Sequence, residues 1–105
     1  MGYIHADQED LAFRFSLDED LTGYTGVMYY YRREDGNDSR ATVACTVTAT
    51  STISYLQHIQ TTALLSVYDT DYIMYVGLTS STSLVRSTSP VAVHVNREGN
   101  IEYSQ

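Results

Sequence analysis

Along this chain, apolar and polar residues change places at every second position, run after run. Leu11, Phe13, Phe15 and Leu17 alternate with Ala12, Arg14 and Ser16. That is the period of a strand with one face in a core and the other in water. A second run, residues 27–33, carries Tyr29, Tyr30 and Tyr31 and so offers aromatics to both of its faces. In a third, Ala41, Val43, Cys45, Val47 and Ala49 alternate with Thr and Ala. Further strands are predicted over 51–56, 72–78 and 91–95, with a short one over 3–6. Residues 84–88 are predicted to pair with one of the last two long strands. Leu56, Ile59, Ala63 and Leu64 have a loose helical spacing, so residues 57–66 have room for one or two helical turns. Asp18-Glu19-Asp20 and Glu34-Asp35-Gly36-Asn37-Asp38 read as turns, because Asp, Asn and Gly tolerate or bond a tight backbone. The Ser/Thr stretch 79–83 reads as a hairpin loop.

About seven short strands joined by turns predict an all-β fold, an antiparallel immunoglobulin-like β-sandwich with room for one short helical turn. A small barrel is the second architecture the pattern allows. At 105 residues the chain is expected to form a single β-sandwich domain over 1–105. The alternation places Leu11, Phe13, Phe15, Leu17, Val43, Cys45, Val47, Ile53, Tyr72, Met74, Val76, Val91, Val93 and Val95 in the core. Two strands then carry a surplus. Whichever face of 27–31 turns inward, the other exposes Tyr or Met, and Ile73 and Tyr75 lie opposite Tyr72, Met74 and Val76. A sandwich strand needs one apolar face, so the second is expected to meet a partner or a long loop. Tyr29, Tyr30, Tyr31, Ile73 and Tyr75 are the candidate partner-contact residues, since Tyr is enriched at interfaces.

Charge narrows the function classes. Thirteen acidic residues stand against six Arg and no Lys, a net charge of −7. Such a chain is a poor neutraliser of phosphate backbones, so no nucleic-acid partner is expected, although Phe13, Phe15 and the Tyr run could pass for a stacking platform. No apolar run reaches the ~18 residues of a membrane span, and the first residues lack a basic start and an apolar stretch, so neither a membrane nor an export signal is expected.

The residues that could carry chemistry are scattered. His5, His58 and His94 fall on separate predicted elements without metal-ligand spacing, so no metal is expected. Cys45, the one cysteine, sits among Ala and Val and reads as a structural thiol. Acidic groups at Asp7/Glu9/Asp10, Asp18/Glu19/Asp20, Asp35/Asp38 and Asp69/Asp71 could in principle bind calcium or form a glycosidase pair. They lack EF-hand spacing, and so short a chain has little material for a cleft, so they read as solvated turns. There is no Gly-x-Ser-x-Gly elbow, phosphate loop or dinucleotide fingerprint. No catalysis and no cofactor are expected.

Residues 9–36 carry a family resemblance. Leu11-Ala12-Phe13-Arg14-Phe15-Ser16-Leu17 runs into Asp20-Leu21-Thr22-Gly23-Tyr24-Thr25, and a second strand ends at Glu34-Asp35-Gly36. This resembles the N-terminal domain of tailed-phage baseplate upper proteins and its small relatives in phage virion gene clusters. The family's late Gly-x-Tyr is here Asp69-Thr70-Asp71-Tyr72, without the Gly. The resemblance implies that Leu21 plugs one end of the sandwich and that Thr22-Gly23 turns the chain into the second sheet.

It also implies a structural virion protein, assembled in the bacterial host cytoplasm. Such a protein docks as a β-sandwich adaptor onto tail, baseplate or neck chains, or decorates the capsid. Its partners would be other virion structural proteins, and its own copies in a homo-oligomer or multi-copy assembly. The family's coiled-coil or fibre module is absent from these 105 residues, which suits a free-standing adaptor. The alternative is a soluble β-sandwich module that binds carbohydrate or protein through its loops, with Tyr24 and Tyr68 as sugar platforms.

Overall fold

A computed structural model describes residues 4–103. Eight strands follow one another: β1 (Ala12–Leu17), β2 (Thr25–Arg32), β3 (Ala41–Ala49), β4 (Ser54–Ile59), β5 (Thr70–Thr79), β6 (Val85–Ser87), β7 (Val91–Val95) and β8 (Ile101–Tyr103). The fold is all-β, antiparallel and sandwich-like, as the alternation predicts. One curled sheet runs in the order β1-β4-β3-β2-β5-β7-β8, with β6 also on β5. Every ladder is antiparallel.

The curl comes from β3, which changes partners midway. Its first half pairs with β2, from Tyr30↔Ala41 to Gly26↔Cys45, and its second half with β4, from Thr46↔Gln57 to Ala49↔Ser54. The β1–β4–β3 layer therefore folds over the β2–β5–β7–β8 layer. Phe13 and Phe15 of one layer face Met74, Val91 and Val93 of the other across a gap of about 190 Å³.

Period-2 alternation fills the space between the layers. Phe13, Met28, Leu56, Tyr72, Met74, Val76, Leu78, Val93 and Val95 are buried in it, with Leu11, Leu65 and Ile101. Phe15, Leu17, Val43, Cys45, Val47 and Val91 are expected core residues that pack only partly buried against it.

Three expectations are corrected. The fourth strand starts at Ser54, because Thr50 and Ile53 close a turn: Thr50 Oγ1 donates to the Ile53 carbonyl at 2.6 Å and accepts from Ile53 N at 3.1 Å. That turn leaves Ile53 half-buried and makes Leu56 the core residue. Residues 57–66 form no helical turn; β4 runs on to Ile59 and a loop follows. The short helical turns are two 3-10 turns at Arg33–Asp35 and Asn37–Ser39, spanning the predicted turn 34–38 and one residue on either side. Within the stretch 3–6, His5 makes a single bridge to Asn100 rather than a strand, and Tyr3 lies outside the described residues.

Gln60 explains the break after β4. Its amide is 2 % exposed and fully used. Nε2 donates to the carbonyls of Ala6 and Gln8, each at 2.9 Å, and Oε1 accepts from Leu64 N at 3.3 Å. Its backbone N–H donates to Leu11 O at 2.9 Å. Nearby, Ala6 N donates to Gly99 O and Ile101 N to Ile4 O, each at 2.8 Å, so the N-terminal segment covers the edge of β8.

The β1–β2 connection is fixed just as closely. Asp20 Oδ1 accepts from Thr22 N at 2.9 Å and Thr22 Oγ1 at 2.5 Å, an Asx turn. Gly23 follows at φ +86, a conformation that costs a residue without a Cβ little. Leu21 is fully buried, and its N–H donates to Ser54 Oγ at 3.0 Å. That hydroxyl donates in turn to Glu19 O at 2.8 Å. Among the described residues, no buried side-chain polar atom lacks a partner.

Candidate functional site

The antiparallel register of β2 on β5 sets Tyr29 opposite Tyr75, Tyr31 opposite Ile73 and Val27 opposite Gly77. Met28 and Val76 point into the core, so these three pairs lie together on the outer face. Four of the five candidate contact residues, Tyr29, Tyr31, Ile73 and Tyr75, thus share one half-buried surface. Tyr30 does not join them. It faces inward beside Met28, packs against the core, and burial pushes its phenol up from the ordinary range.

The tyrosines form an ordered stack. The Tyr29 and Tyr75 rings lie 5.0 Å apart with planes 18° from parallel. The Arg40 guanidinium sits 5.3 Å from the Tyr29 ring, and Tyr75 OH donates to Asn37 Oδ1 at 2.9 Å. Shallow hollows flank the stack. One of about 280 Å³ is lined by Tyr29, Arg40, Val85 and Arg86 among others. The other, of about 310 Å³, is lined by Tyr31, Asn37, Ser87 and Pro90 among others. Two Arg and no carboxylate line them, in a chain with thirteen acids. Arg86 is paired bidentately to Glu19, at 2.5 and 2.9 Å, whereas Arg40 has no carboxylate partner among the described residues. Arg40 and Asn37 belong to this surface and escaped the sequence reading, because a turn residue gives no periodic signal of the face it leans over.

Among the described residues, the three histidines sit in separate hydrogen-bond networks. His5 bonds to Glu98 O at 3.0 Å and accepts from Asp7 N at 3.1 Å, and His58 Nδ1 donates to Ala44 O at 2.7 Å. His94 Nδ1 lies 2.7 Å from Asp71, whose other oxygen takes Arg33 at 3.3 Å. This last network is open to solvent and ties β5 and β7 to the β2–β3 connection. No group of three or more His, Cys, Asp or Glu among the described residues is placed to hold a metal ion. Burial pushes the Cys45 thiol up to about 11, so it stays protonated and weakly nucleophilic at neutral pH.

The two loop tyrosines are occupied by protein. Arg86 lies 5.8 Å from the Tyr24 ring. Tyr68 donates to Asp7 at 3.0 Å and meets the His5 ring edge-on at 5.7 Å. Both pack partly buried against the core.

The face thus joins a tyrosine stack on the β2–β5 ladder to Arg40 and Asn37 of the β2–β3 connection. Compared with known protein families, curated proteins and solved structures, the chain finds no match, so the phage-domain resemblance stands on residues 9–36 alone.

Proposed function

We propose that this chain is a non-catalytic structural domain that docks onto copies of itself and onto other chains through the outer face of β2 and β5. One observation carries the reading. Tyr29, Tyr75, Tyr31 and Ile73 form an aromatic surface held by paired strands and braced by the short β2–β3 connection, through Asn37 and Arg40. Ordered Tyr and Arg side chains are the residue types that dominate binding energy at interfaces. Val27 and Val85 extend the apolar stripe, at 39 % and 77 % exposed.

The resemblance of residues 9–36 sets such a domain in a tailed-phage particle, as an adaptor at the tail, baseplate or neck or as a capsid decoration. The buried Leu21 and the turn at Gly23 are the arrangement that resemblance implies for this segment, and they support it to that extent. The occupied Tyr24 and Tyr68 weigh against a module that binds sugar through its loops.

Light scattering across a concentration series tests the self-docking. A mass that rises with concentration for the native chain, and stays that of a monomer for Tyr75→Ser, supports it. A native chain that is monomeric at every concentration overturns it.

A further inference from the structure

A hollow lies away from the docking face, on the outer side of β1, β4 and β3. It measures about 620 Å³ and is lined by Arg14, Thr46, Thr48, Tyr55, Gln57 and His58, with Ala44 and Ile59 as its apolar part. The ladders set its polar groups in rows. Arg14, Gln57 and Thr46 line up across the three strands, and Ser16, Tyr55 and Thr48 form the next row. Neighbouring strands are about 4.8 Å apart, so the groups of one row can be reached together by the hydroxyls of one or two sugar rings.

Three features mark this surface. First, no carboxylate lines it, although the chain has thirteen acids and six Arg. Second, Arg14 is positioned without being neutralised. Its guanidinium carbon lies over Tyr55, 3.9 Å from the ring centre, and the group has no carboxylate partner among the described residues. Third, β3 leaves β4 at Thr46↔Gln57, and there the His58 ring donates to the Ala44 carbonyl, which holds the floor where the ladder stops.

We propose that this hollow binds an acidic saccharide, with Arg14 receiving its carboxylate and Thr46, Thr48, Gln57 and Tyr55 its hydroxyls. Arg presents a planar fork that matches a carboxylate. Thr46, Thr48, Gln57 and Tyr55 supply hydroxyl and amide groups, which suits a polyol. A peptide strand adds along a sheet edge, whereas this hollow lies on the face of the sheet, centred over β4, which is paired on both sides. Ile59, 49 % exposed, offers an apolar surface for the C–H face of a ring.

The test is a ¹⁵N amide-shift titration of the whole protein with glucuronate, galacturonate and N-acetylneuraminate, beside glucose and galactose. Saturable shifts centred on the amides of residues 46–48 and 55–58 are expected with at least one acidic sugar. Affinity for the neutral sugars, and affinity of Arg14→Gln for the acidic one, is expected to be at least about tenfold weaker, the loss of one charge-assisted pair. Thr46→Val with Thr48→Val keeps the strand shape and is expected to weaken binding in a chain that leaves Arg14 intact. The proposal is overturned if none of the acidic sugars shifts those amides, or if the shifts persist unchanged in Arg14→Gln. Because the docking face is untouched by these variants, their outcome is independent of self-association.

Discussion

The ring of Tyr29 stacks within 18° of parallel on that of Tyr75 and fills the place that a side chain on Gly77 would take. A Cβ built at Gly77 would stand 2.8 Å from Tyr29 Cε2, well inside contact distance. The glycine in the middle of β5 is therefore a seat for the aromatic stack. Gly77→Ala is expected to swing the Tyr29 ring off Tyr75 and away from Arg40, at a stability cost of about 1 kcal/mol, the order of a mild overpacking. Near-ultraviolet circular dichroism reads the loss of the stack. Light scattering reads a weaker self-association at unchanged far-ultraviolet signal.

Gln60 is the side chain on which the N-terminal segment hangs. Gln60→Leu keeps roughly the volume but strands the carbonyls of Ala6 and Gln8 and the Leu64 amide. Each stranded buried group costs roughly 1–3 kcal/mol, and partial access of water lowers the sum, so a loss of about 3 kcal/mol is expected. Urea denaturation measures it. Gln60→Glu, which still accepts but no longer donates, is expected to be no better than Leu at neutral pH.

Acid is expected to loosen the β1–β2 connection. The hydrogen bond from Arg86 holds the Glu19 carboxyl below its ordinary value of 4.5, and the Thr22 hydroxyl does the same for Asp20 below 3.8. A depressed folded value means that the stabilisation is fully present above the ordinary value and is lost as pH falls through the folded one. Stability is therefore expected to fall below about pH 4.5. Arg86→Met is expected to flatten the Glu19 part of that fall. Denaturation curves at a series of pH values between neutral and acid compare the two chains. An equal slope in both removes Arg86 from the account.

Cys45 is half-buried on the inner face of β3, and its thiol titrates only at about 11. A thiol-disulfide reagent at neutral pH is expected to leave the folded chain unlabelled for as long as it stays folded. Labelling should then follow the unfolding rate, which makes Cys45 an internal reporter for the variants above. Fast labelling of the native chain would show a more open β3 than the structure has.

Alternation made the strands legible because the period of a half-buried strand needs no long-range information. β3 falls on Ala41–Ala49, the span its alternating residues mark out, and the inward set Tyr72, Met74 and Val76 is buried as read. What alternation could not supply was the choice between faces in β2. Register decided that, by placing Met28 against Val43 and Val76 and so turning Tyr30 inward and Tyr29 and Tyr31 outward. The helical reading of 57–66 failed on a long-range polar contact: Gln60 answers to carbonyls more than fifty residues upstream. The hollow around Arg14 was equally hidden, since its polar rows exist only once three strands lie side by side.

The change of partner along β3 bears on how the molecule comes apart. A sandwich of two separate sheets can lose one layer and keep the other. Here a single nine-residue strand is bonded into both. Neither layer can be peeled away without tearing the other's ladder, so the strand acts as a shared spine. Thermal unfolding is accordingly expected as one cooperative event, with the tyrosine and far-ultraviolet signals crossing at the same temperature. Amides on either half of β3 are expected to exchange with solvent only when the whole fold opens.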